Sequence, residues 1–220
     1  MNQDVNEVYA SHTNGLPKTD FEAMRAMAAR IIDNNYMGSV ALFLRGPGPE
    51  VGERVLSACV DLENMLGRVK FNAFEYPEPR SDMTRWLEDM VTLMSVVYMV
   101  RSKIRQHDMP MAEMSIVYNQ MGSLSGDVKG LLSSLVDLAQ QKDAEYGASW
   151  CKRGGIGAWF TTVRKFDRLV TQVRQKGNNI WDVSDDIGST EALEETIKDA
   201  INYLMLILEK RSVIHSQRQS

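Results

Sequence analysis

"EALEETIKDAINYLML", residues 191–206, decides how this chain is read. At the turn of an α-helix, Glu191, Glu195 and Asp199 lie at about 0°, 40° and 80°, and Asn202 at about 20°. Leu193, Ile197, Ala200, Ile201, Leu204 and Leu208 gather on the other side. The stretch is therefore an amphipathic helix with a buried apolar face and one narrow polar stripe. Three like charges four residues apart repel one another by a few tenths of a kcal/mol per pair. A cation shared between them removes that cost, and Mg²⁺ takes oxygen ligands of this kind together with phosphate oxygens. The plainer reading is local. "GST" at 188–190 offers an N-cap, and acids in a first turn suit the helix dipole. That accounts for Glu191 and Glu194 but not for Asp199 and Asn202, two turns further on among apolar residues.

The same 3.6-residue period recurs along the chain, at 20–33, 52–68, 81–105, 127–143, 158–176 and 189–211. Breaker-rich connections separate these segments: "RGPGPEVG" (45–52), "YPEPRSD" (76–82), "GSLSG" (122–126) and "KRGGIG" (152–157). Only "GSVALFL" (38–44) hints at a strand. The fold class expected is all-α.

The two halves echo one another. "ARIIDNNY" (29–36) matches "AQQKDAEY" (139–146) as A-x-x-x-D-x-x-Y, at an offset of 110. "WLEDMVTLMSVVYMV" (86–100) follows the pattern of "ALEETIKDAINYLML" (192–206), at an offset of 106. In that register Glu195 aligns with Asp89, Asp199 with Leu93 and Asn202 with Val96. The expectation is two tandem helical repeats packed as a pseudo-dimeric bundle, with a degenerate repeat at 1–122 and a site-bearing one at 123–220. The joint falls near "GSLSG".

Composition narrows the function. A chain of 220 residues with 44% hydrophobic and 25% charged residues has the make-up of a soluble globular protein. A net charge of −4 speaks against general nucleic-acid binding. The polar start, "MNQDVNEVYASHTNG", has no apolar core of a signal peptide, and "VTLMSVVYMV" (91–100) is too short to span a bilayer. A cytoplasmic protein with no membrane partner is expected. Cys59 and Cys151 form no CxxC pair, and the three histidines are scattered, so metal chemistry would rest on carboxylates.

A second helix, "GAWFTTVRKFDRLVTQVRQK" (157–176), carries Phe160, Val163, Phe166, Leu169, Val170 and Val173 on its apolar side. Arg164, Lys165 and Arg168 lie opposite, suited to phosphate or to an ordinary solvated face. In the loop "KDAEYGASWCKRGGIG" (142–157), Tyr146 and Trp150 could stack on a base or plug the core. Glu145 is a spare carboxylate there, a candidate metal oxygen or general base. "RGGIG" is not a P-loop, since no G-K-(S/T) follows.

The spacings K-x-x-E-Y-G-x-x-W (142–150), the glycine and R-K-x-x-R-L run of 155–169, and E-x-x-x-E-T-x-x-D-x-x-N-Y (191–203) resemble the phage-associated nucleotide modification associated domain family. That family is similar in layout to the MazG-like all-α NTP pyrophosphatases. The resemblance covers about residues 127–210. Glu195 stands where the pattern would have Asp, and the paired E-x-x-E and E-x-x-D signature of MazG-like enzymes is not evident. The resemblance implies a nucleoside polyphosphate held with Mg²⁺ in a host cytoplasm. In that picture Glu191, Glu195 and Asp199 bind the metal, and Glu195, Asp199 and Glu145 serve catalysis. Lys142, Lys165, Arg168, Asn202, Tyr146 and Trp150 hold the nucleotide. The expected reaction is attack of water on a phosphoanhydride, giving monophosphate and pyrophosphate. Two other readings stand beside it. One is a phage protein that sequesters a nucleotide without cutting it. The other is a structural helical protein, alone or as a homo-oligomer, whose 14 methionines and apolar runs at 91–100 and 201–208 form packing surfaces.

Overall fold

Apolar residues three and four apart build six helices among the described residues: α1 Phe21–Asp33, α2 Gly48–Arg68, α3 Arg80–Arg105, α4 Met121–Tyr146, α5 Gly154–Val170 and α6 Thr190–Gln219. A 3-10 turn, Ser149–Cys151, links α4 to α5, and a π turn, Thr171–Gln175, extends α5. The computed structural model describes residues 18–33, 40, 44, 48–68, 72–74, 80–106, 121–175, 180–181 and 190–219. The all-α expectation holds. "GSVALFL" lies mostly outside the described residues, but Leu44 N–H donates to Val40 O at 2.9 Å, a bond of helical spacing.

The helix ends shift where sequence punctuation competes with burial. "GSLSG" is no break: it lies inside α4, because Leu124 and Val128 bury completely and carry the helix through the glycines. The helix continues to Tyr146 and stops there because Gly147 adopts φ 61°, the left-handed conformation that closes a helix. Its N–H donates to Asp143 O at 2.8 Å. At α1 the start is capped by Asp20, whose Oδ1 accepts from Glu22 N and Ala23 N at 3.1 and 3.0 Å.

α3 and α6 are the central pair. Each packs on the other, and both also touch α1 and α4. α1 lies along α4, where Arg25 bridges to Asp137 at 2.8 Å and Gln140 at 2.7 Å. α2 packs on α3 and α5, and α5 packs on α6. The pairing thus crosses between the N-terminal and C-terminal halves, and one apolar core runs through both. α6 is buried on nearly all sides from Ala200 to Arg211, polar residues included. Its Leu193, Ile197, Ala200, Ile201, Leu204 and Leu208 face the core as their spacing requires.

On α5 the apolar side is displaced by about one residue. Ala158, Trp159, Thr162, Val163, Phe166 and Leu169 are buried, whereas Phe160 is 56% exposed and rests edge-on against Trp159, ring centroids 4.6 Å apart. No helix among the described residues is long and apolar enough to cross a membrane. Both cysteines are buried and free. Burial pushes the Cys59 thiol up to about 12 and the Cys151 thiol up to about 11. The folded chain should therefore react with a thiol reagent at pH 8 more than about a hundredfold more slowly than the chain in denaturant. Rapid labelling of either cysteine before unfolding would contradict this.

Candidate functional site

The end of α4, the turn that follows it and α6 line an open-mouthed cavity of about 140 Å³. The C-terminal turn of α4 contributes Ala139, Lys142, Asp143 and Tyr146; Gly147, Ser149 and Trp150 follow; α6 contributes Asp199, Asn202, Tyr203 and Leu206. The helical period explains the choice. Ala139, Asp143 and Tyr146 lie along one face of α4, and Asp199, Asn202, Tyr203 and Leu206 along one face of α6. Five residues expected from the sequence meet here: Lys142, Tyr146, Trp150, Asp199 and Asn202. Tyr146, 70% exposed, stands at the mouth, whereas Asn202, 6% exposed, lies deep inside.

The acidic stripe of α6 is not arranged as expected. Lys165 reaches from α5 and donates to Asp199 Oδ2 at 2.7 Å, while Lys142 Nζ from α4 stands 3.7 Å from Oδ1. Asp199 therefore ties three helices together, with both oxygens facing ammonium groups. Lys165 also sits 5.9 Å from the centre of the Tyr203 ring, within cation–π range. Burial pushes the Tyr203 phenol up, and the charge of Asp199 adds to that against the pull of Arg164. Glu195 points outward and pairs with Lys198 one turn on. Glu194, taken from sequence as a first-turn helper, is instead buried against Arg105 at 2.7 Å.

The remaining expected residues stay outside. Glu145 is exposed and accepts from Gln141 Nε2 at 3.1 Å. Arg168 is exposed on α5 and does not line the cavity. The side chain of Glu191 lies outside the described residues. Among the described residues no three His, Cys, Asp or Glu groups stand close enough to hold a metal ion. Of the expected metal set, then, Asp199 is engaged by two lysines and Glu195 by Lys198.

Three side-chain atoms of the cavity residues are buried without a hydrogen-bond partner: Asp143 Oδ1, Trp150 Nε1 and Asn202 Oδ1. Orphaned groups of this kind cost about 1–3 kcal/mol each unless something binds them. Of the two roles considered for Trp150, the structure bears on core packing. It packs against the core with its ring edge-on to Phe74, centroids 6.1 Å apart, and it lines the cavity. Asp143 was missed by the sequence reading, although it is the shared Asp of the A-x-x-x-D-x-x-Y match, a signal that could have found it. Comparison of the chain with protein-family models, with curated proteins and with solved structures gave no match.

Proposed function

We propose that this chain binds a nucleoside phosphate in the cavity between α4, the 3-10 turn and α6. The observation that carries this reading is a small concave site with an aromatic wall, a carboxylate and two lysines beside it. Ligand sites combine these features: a shaped apolar pocket, a few convergent polar groups and a source of charge. Lys142, half exposed at the mouth, can turn from Asp199 to a phosphate at little cost, since its 3.7 Å contact is long. Lys165 adds positive potential from behind. With both Asp199 oxygens facing lysines, the reading is one of binding rather than Mg²⁺-assisted hydrolysis. In calorimetric titrations with nucleoside mono-, di- and triphosphates, the wild type should bind at least one class. Lys142→Ala should weaken that binding by about tenfold. No binding by any nucleotide would leave a structural helical protein. Release of monophosphate and pyrophosphate only when Mg²⁺ is added would restore the hydrolase.

The tandem repeat belongs to the same proposal, and the packing supports it. Exchanging α1 with α4, α2 with α5 and α3 with α6 turns the set of packed helix pairs into itself. α1·α4, α2·α5 and α3·α6 map onto themselves, α2·α3 maps onto α5·α6, α3·α4 onto α6·α1, and α1·α3 onto α4·α6. The buried residues Val51, Val55, Leu56, Cys59 and Leu62 of α2 correspond, 107 positions on, to Ala158, Thr162, Val163, Phe166 and Leu169 of α5. For the central helices an offset of 110 fits better than 106. It aligns Arg101-Ser102-x-Ile104 with Arg211-Ser212-x-Ile214, and it keeps the offset of the A-x-x-x-D-x-x-Y match. In that register Asp199 corresponds to Asp89, and Lys142 to Ile32. The N-terminal half would then retain the central Asp and lack this lysine.

A further inference from the structure

We propose that the exposed face of α5 pairs with the same face of a second copy of this chain, the two helices running antiparallel about Phe160. Four large apolar side chains are exposed among the described residues, and two of them, Ile156 at 48% and Phe160 at 56%, stand one turn apart on this helix. The Phe160 ring is already set in place, edge-on against Trp159. Arg153, Arg164 and Asp167 are exposed on the same helix. Arg153 is the N-cap and keeps the helical register, since its carbonyl accepts from Gly157 N at 3.3 Å. With Ile156 at 0°, Asp167, Phe160, Arg153 and Arg164 lie at about 20°, 40°, 60° and 80°. The five form one stripe, apart from the buried side that packs on α2 and α6. Among the described residues no ion pair engages Arg153, Arg164 or Asp167.

The order of these residues makes the stripe complementary to itself. A twofold contact uses one patch twice, so residue i meets j wherever j meets i. In an antiparallel pair centred on Phe160, positions equally far before and after it come opposite. Arg153 and Asp167 are each seven residues away, so Arg153 of either copy faces Asp167 of the other, about 10 Å from the centre on both sides. Ile156 and Arg164 are each four away, which lays the apolar stem of Arg164 over Ile156. Phe160 meets its own copy in the middle. A protein surface rich in aromatic and arginine side chains suits such a contact. An anionic lipid surface fits less well, because the carboxylate of Asp167 lies in the line of Ile156 and Phe160 and would be pressed against lipid phosphates. The apolar runs at 91–100 and 201–208 are mostly buried within the chain and leave this face as the better seat for a second copy. One helix face is smaller than a standard interface of about 800 Å² per partner, so the pair should form and part readily.

The test is sedimentation equilibrium of the full chain from about 10 to about 500 µM, where a weak dimer shows itself. The wild type should pass from monomer to dimer across that range. Phe160→Asp should weaken the association at least tenfold or so. Arg153→Asp and Asp167→Arg should each weaken it about tenfold, since each sets like charges opposite at both ends of the pair. Neither should harm the helix: aspartate is a favoured N-cap, and arginine suits the last turns of a helix. Melting temperatures close to wild type check this. The decisive sample is an equimolar mixture of the two charge variants. One carries acids at both 153 and 167 and the other arginines at both, so the mixture should regain wild-type association. A wild type that stays monomeric throughout overturns the proposal. A dimer indifferent to Phe160→Asp and to the charge variants places the contact elsewhere and overturns it too. A mixture no more associated than its components overturns the antiparallel register. A monomer that instead sediments with phosphatidylglycerol vesicles, and loses this in Phe160→Asp, gives the face to a lipid surface.

Discussion

Arg211→Ala is expected to lower the stability of the chain by about 3–5 kcal/mol, a fall in melting temperature of roughly 10 °C for a chain of this size. Arg211 has no exposed surface. From the middle of α6, its Nη1 donates to Ala73 O at 3.1 Å and lies 3.4 Å from Met83 Sδ. Truncation removes a donor from a buried carbonyl and opens a void beside α3, and these two costs add. Arg211→Met separates them. It fills much of the volume with no charge, so the loss should shrink to about 1–2 kcal/mol. Urea titration at constant slope reads the difference. A midpoint for Arg211→Ala within error of wild type would mean that the buried guanidinium contributes nothing to the fold. Arg101 is the counterpart on α3, equally buried, donating to Ile180 O. Each central helix thus sends an arginine to the segment that precedes the other, and Arg101→Ala should be comparably damaging.

Period and punctuation reveal much of this architecture, for physical reasons that also mark where they stop. An apolar face repeating every three or four residues must find a core, so the six helices and the inward side of α6 are legible. "GSLSG" misleads because glycine and serine lower helix propensity only weakly, and complete burial of Leu124 and Val128 outweighs that. The polar stripe of α6 is legible as the lining of a cavity, since Asp199 and Asn202 sit where only burial or a partner explains them. Its chemistry is not. Three acids read alone call for a cation, and Lys165 read alone calls for a phosphate; the fold brings Lys165 and Asp199 together from 34 positions apart. A pairing at that separation leaves no local pattern. The burial of Glu194 against Arg105 is equally nonlocal. Phe160 differs again, because an apolar residue at the edge of a helix stripe can fall on either side of the surface, and the pattern alone does not say which.

Gly155→Ala is the substitution that should connect stability to the cavity. Gly155 is buried in the first turn of α5, and the segment 72–74 lies directly against it. Its carbonyl accepts from Ala73 N at 3.1 Å. A Cβ placed there would stand 1.7 Å from Asn72 Oδ1 and 2.8 Å from Phe74 N. The Asn72 side chain can swing aside only by giving up its bond to Phe74 N at 3.1 Å, and the backbone nitrogen cannot swing at all. The segment must therefore move away from α5, at about 1–3 kcal/mol for alanine and more for valine. Phe74 moves with it, and Phe74 is the ring against which Trp150 is set. Ligand affinity should consequently fall along with stability, even though Gly155 does not line the cavity. The pair Asn72→Ala and Gly155→Ala separates the two contacts: removing Asn72 Oδ1 should recover part of the stability, while the clash with Phe74 N keeps Trp150 displaced and affinity low. A Gly155→Ala chain as stable as wild type would mean that the segment approaches α5 less closely than the geometry states. A destabilised variant that retained full affinity would detach Trp150 from the ligand.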